Sequence, residues 1–97
     1  MEEKIKMISA AARLIEFRKQ NPLAIEEEIF QDVSDYISEI KDVKTEKMKI
    51  NMIAAASEAF NVSKKNPKLT EKEILKKVIE EIPNILLKLN QEEELNK

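Results

Sequence analysis

One stretch of this chain is written twice. Met7-Ile8-Ser9-Ala10-Ala11-Ala12 returns 45 residues later as Met52-Ile53-Ala54-Ala55-Ala56-Ser57. Laid over each other without a gap, Lys4–Ile40 and Lys49–Ile85 are identical at fifteen of 37 positions: Lys4, Ile5, Met7, Ile8, Ala10, Ala11, Lys19, Asn21, Pro22, Glu26, Glu28, Ile29, Val33, Ile37 and Ile40, each matched 45 residues on. Leu14/Ala59, Ile15/Phe60, Phe17/Val62 and Phe30/Leu75 are apolar on both sides. The kept positions are mainly apolar or in the turn, and the drifting ones mainly charged. That is the pattern of one supersecondary unit copied once. Two units are too few for a solenoid. The expectation is an all-α chain: two tandem antiparallel helical hairpins of period 45, packed about a pseudo-two-fold axis into a four-helix bundle-like domain. Residues 4–40 form the first repeat, 49–85 the second and 86–97 a kinked C-terminal helical extension, all within one domain, 1–97.

The residue types that are missing narrow the chemistry. Glycine is absent from the 97 residues, which argues against Gly-rich phosphate loops, tight hairpin turns and glycine helix caps. Cysteine and histidine are also zero. Disulfides, thiolate chemistry, the usual zinc and haem sites and the commonest general base go with them. The N-terminus, Met-Glu-Glu-Lys, alternates charge rather than opening a signal peptide, and no apolar run exceeds the five residues of Met52–Ala56. A cytoplasmic protein with no membrane role is the expectation. Net charge is −2, too small to mark a nucleic-acid binder by bulk charge.

The first helix is expected over Glu3–Lys19. Ile5, Ile8, Ala12 and Ile15 form one apolar stripe, and Met7, Ala11, Leu14 and Phe17 a second beside it. Together they are wider than a surface helix needs, so this helix should be largely buried or touch two neighbours. The alanine run allows another helix axis to come close. Asn21-Pro22 ends it, because a residue before proline is pushed out of the α region. The second helix is expected over Ile25–Lys41, with Ile29, Val33, Tyr36, Ile37 and Ile40 on one face. Its opening Glu26-Glu27-Glu28 complements the helix dipole. Asp42–Lys44 is a short polar link, and Thr45 is placed to cap the third helix, Glu46–Lys64. Thr70-Glu71-Lys72-Glu73 reads as a capping box for the fourth, with Leu69 and Ile74 as a hydrophobic staple. Pro83 interrupts the stripe Ile74, Val78, Ile82, Ile85 and requires a kink or a tight restart. The last few residues are expected to fray.

No catalytic constellation emerges, and no cofactor or metal is implied. Pairs such as Asp32 with Asp35, or Glu80 with Glu81, have the spacing of solvated helix faces. The reading is a small non-catalytic helical interaction or scaffold module, self-associating as a homodimer through surplus apolar surface. Met7, Met52, Leu86, Leu87 and Leu89 are the candidate residues for that surface. The alternative is a nucleic-acid-associated accessory protein using Lys64, Lys65, Lys68, Lys72, Lys76 and Lys77. Interleaved glutamates and the lack of aromatic residues among those lysines disfavour it.

Overall fold

The computed structural model describes residues 2–43 and 45–95; side-chain environments are described from Glu3 to Gln91. Four helices account for almost all of it: α1 (Glu2–Gln20), α2 (Glu26–Glu39), α3 (Glu46–Lys65) and α4 (Glu71–Leu95). There is no strand among the described residues. The expected fraying falls largely on Asn96 and Lys97, which lie outside them, as does Lys44 of the α2–α3 link.

The order of contacts fixes the helix directions. α2 runs back along α1, because Arg13 pairs with Asp32 and Ser9 with Tyr36. α1 and α3 run parallel. Near their N-terminal ends Asn51 donates a hydrogen bond to Glu3, and near their C-terminal ends Arg18 donates to Ser63. Helix α1 packs most extensively along α3 and also touches α2 and α4, whereas α2 and α4 do not meet among the described residues. The centre is therefore the α1–α3 pair, with a helix on either side. Alanine makes that pair possible. Ala10, Ala11, Ala55, Ala56 and Ala59 are all fully buried, and short side chains let two axes approach.

The other buried apolar side chains of α1 and α3 are Met7, Leu14, Ile15, Met52 and Phe60; α2 supplies Ile29, Val33 and Ile37, and α4 supplies Ile74, Val78 and Ile82. Each buried apolar position in α1 or α2 has its counterpart 45 residues on, also buried, in α3 or α4. Full burial of a Val, Leu, Ile or Met side chain stabilises by roughly 1.5–3 kcal/mol. The first predicted stripe is corrected in part. Ile5 and Ile50 are 64% and 52% exposed and Ile53 is also exposed, while Ile15 alone of the first-helix stripe is buried. The second stripe, with Ala10, is the one turned inward, because α3 lies on that side of α1.

The loops repeat bond for bond. Asn21 N–H donates to Phe17 O at 2.9 Å and Ala24 N–H to Asn21 O at 3.0 Å; Asn66 and Leu69 do the same to Val62 and Asn66 at 3.0 and 3.1 Å. Neither turn uses positive φ, which is why glycine is dispensable. At the start of α4 the capping box closes in both directions, Glu73 N–H to Thr70 Oγ1 at 3.2 Å and Thr70 N–H to Glu73 Oε1 at 3.1 Å. At the start of α2 only the carboxylate half forms, Ile25 N–H to Glu28 Oε1 at 3.0 Å, since isoleucine has no acceptor. Thr45 caps α3 through Met48 N–H at 3.1 Å.

Helix α4 does not break at Pro83, which stands inside one continuous helix. Pro83 is exposed, so the carbonyl of Ile79 that loses its donor lies toward water, where it is satisfied at small cost. Ser38 occupies the matching place in α2 and donates its hydroxyl to Ser34 O at 3.0 Å. The helix without the proline is nevertheless the shorter. Ile40 turns extended at φ −79°, ψ 116°, and Val43 N–H closes a turn on Ile40 O at 3.4 Å. The chain must reverse there to begin α3.

A candidate interaction surface

The predicted apolar surface splits when its residues are placed. Met7 and Met52 are fully buried between the helices. Their unbranched side chains fill core space and cannot face a partner. Leu86 and Leu89 are half-buried, Leu86 against the edge of the core. Only Leu87 is substantially exposed, at 58%, beside a shallow groove formed with Glu58, Glu81, Asn84, Ile85, Lys88 and Gln91.

The exposed apolar side chains that the sequence reading passed over are at the α1–α2 loop. Leu23 is 94% exposed and Ile25 is 59% exposed. Ile25 enters a groove with Phe17, Glu27, Glu28, Gln31, Asp32 and Asp35, so the loop offers apolar surface rimmed by carboxylates. The signal was present in the alignment of the two halves: Lys68 and Thr70 stand where Leu23 and Ile25 do.

The predicted lysine cluster surrounds the α3–α4 loop. Lys64, Lys65, Lys68, Lys72, Lys76 and Lys77 are all exposed. None of the six is within ion-pair distance of a carboxylate among the described residues. Lys64 Nζ lies 5.1 Å from the centre of the Phe60 ring, and Arg18 Cζ is 5.1 Å from the same ring. Phe30 meets Phe60 edge to face at 5.5 Å, joining the start of α2 to the end of α3. The same parallel pair brings both loops to one end of the molecule.

A polar constellation that the sequence reading did not find lies between α1 and α2. Arg13 holds Asp32 through two nitrogens, at 2.9 and 3.0 Å. Its guanidinium lies 5.4 Å from the centre of the Tyr36 ring, and the Tyr36 and Ser9 hydroxyls share a hydrogen bond. The Asp32 hydrogen bond raises the Arg13 pKa above its ordinary value. Asp32 and Asp35 do not form a carboxylate pair: Asp35 accepts instead from Gln31 at 3.0 Å. The numbers 13 and 32, like 9 and 36, are symmetric about the Pro22 turn, so a hairpin register would have found these contacts. In α3 and α4 the matching residues are Ala54, Glu58, Lys77 and Glu81. The constellation therefore belongs to one side of the molecule and braces α2 on α1. Among the described residues no three acidic side chains converge as a metal site, and no helix is long and apolar enough to cross a membrane.

Comparison with known protein families, with curated proteins and with solved structures finds no match to this chain.

Proposed function

We propose that the chain is a duplicated helical hairpin that serves as a non-catalytic, cytoplasmic interaction or scaffold module and associates with itself. The observation that carries the self-association is the apolar surface left over once the core is filled: Leu23, Ile25, Ile5, Ile50 and Leu87 remain more than half exposed. Contiguous exposed apolar patches mark contact surfaces more often than scattered single side chains do; Leu23 and Ile25 adjoin at the α1–α2 loop, whereas Ile5 and Ile50 lie at the opposite end of the α1–α3 pair. Duplication is supported by the pairing of the buried positions at a spacing of 45 and by the two loops closing with the same backbone bonds. Light scattering over a concentration series tests the association. The expected result is a molar mass rising toward two chains; a mass of one chain at every concentration refutes it.

A second reading is favoured by the six exposed, unpaired lysines around the α3–α4 loop. In that reading the cluster neutralises phosphates of a nucleic acid. Retention on heparin that falls steeply with salt, together with binding to duplex or single-stranded DNA, would support it. Elution from heparin at the lowest salt would count against it.

A further inference from the structure

The two loops share one end of the molecule but carry opposite charge. The segment Lys19–Asp32 around the first loop contains one basic and four acidic residues, a net −3. The equivalent segment Lys64–Lys77 around the second contains six basic and two acidic residues, a net +4. Five of the seven units of the inversion come from exposed positions at like places in the fold, Gln20/Lys65, Leu23/Lys68, Glu27/Lys72 and Gln31/Lys76; the other two come from Asp32/Lys77, where Asp32 is half-buried and held by Arg13. Neither Glu27 nor Lys72 has an ion-pair partner among the described residues.

We propose that this loop end binds the loop end of a second copy, in an isologous two-fold dimer that sets each acidic loop on its partner's basic loop. The proposal rests on the self-association put forward above and names its surface. A two-fold axis perpendicular to the line joining the loops makes both contacts complementary at once. An axis along that line opposes acid to acid and base to base. The charge pattern therefore selects one closed arrangement. In it Leu23, 94% exposed in the single chain, is covered by the partner's Pro67–Lys68 turn, and Ile25 lies at the rim.

Size sets the strength. The molecule measures 40 × 26 × 24 Å, and its long axis follows the helices. An end face of that cross-section hides on the order of 600 Å² per partner, below the ~800 Å² of a standard interface. The dimer is accordingly weak, in the micromolar range or above, and depends on charge.

The test is sedimentation equilibrium on the full chain at about 0.01 M and about 1 M ionic strength, where the screening length is ~30 and ~3 Å. The expected result is dimer at low salt and single chains at high salt. Glu27→Lys and Lys72→Glu each abolish the low-salt dimer, because each places like charges at both symmetric contacts. The double variant Glu27→Lys/Lys72→Glu restores it, and so does an equimolar mixture of the two single variants. Leu23→Ser weakens it by roughly tenfold or more. Both charged positions are exposed, and circular dichroism confirms that each variant folds. A dimer that persists in the single variants or at high salt overturns this interface while leaving self-association standing. Single chains under every condition overturn both. Loss in the single variants without recovery in the double variant also overturns the proposed pairing.

Discussion

Individual side chains decide how closely α1 and α3 approach. Ala11 and Ala56 have no exposed surface, so added volume has no route to solvent. Ala11→Leu or Ala56→Leu is expected to overpack the crossing and destabilise by about 1–3 kcal/mol. A urea-unfolding series checks this, and unchanged midpoints at both sites would show that the helices are loosely apposed. Asn51 is the one buried polar side chain among the described residues, 1% exposed, and its amide is satisfied by Glu3. Such a group is tolerated because it is hydrogen-bonded. The Arg13–Asp32 pair is less consequential, since nearly half of the Arg13 side chain remains exposed. A double-mutant cycle at that pair is expected to give roughly 0.2–1 kcal/mol. Its raised arginine pKa stabilises the fold below the unfolded value and is lost only as pH rises through the folded one, in strong alkali.

At the level of elements, the start of α4 is the most completely specified. The Glu73 carboxyl is held below the ordinary carboxylate range, first by the Thr70 backbone N–H and then by the Thr70 hydroxyl contact, with Lys77 assisting. A depressed carboxylate contributes stability above its unfolded pKa, near 4.5, and loses it as pH falls through the folded value. Glu73→Gln keeps an acceptor but cannot titrate. Its melting temperature is expected to lie below that of the parent at neutral pH and to converge with it in acid. Parallel curves across the acid range would separate the carboxylate from the cap. Pro83 offers the opposite opportunity. It is exposed within an unbroken helix, so Pro83→Ala restores a donor to Ile79 O without disturbing the core. Stabilisation on the order of 1–3 kcal/mol is expected. A lower melting temperature would mean that the ring packs usefully against α4's neighbours.

For the whole molecule, the consequence of the central α1–α3 pair is that neither half owns its core. Leu14 and Ala59 occupy matching places, and both are buried. A pairing of first half with second half combines large with small. A pairing of like halves puts leucine against leucine or alanine against alanine, giving a clash or a void. Peptides of residues 1–45 and 46–97 are therefore expected to show little helix apart and to gain it on mixing, as read by circular dichroism. Either peptide alone matching the helicity of the intact chain would disprove this interdependence.

Helix type, the approximate ends and the two proline turns were legible because each is a local matter. Periodicity, the Asn-Pro steps and the Thr70 cap act within a few residues of chain. The sequence could not tell which of two adjacent apolar stripes faces inward, and Ile5 and Met7 exchanged their expected places for that reason. Nor could it show that Pro83 stays inside a helix, which depends on that side of α4 facing water. Which residues share a face across 45 positions of chain is settled only when α1 lies parallel to α3. That packing alone brings an acidic loop and a basic loop to the same end, because charges far apart in sequence have no mutual address until the core is closed beneath them.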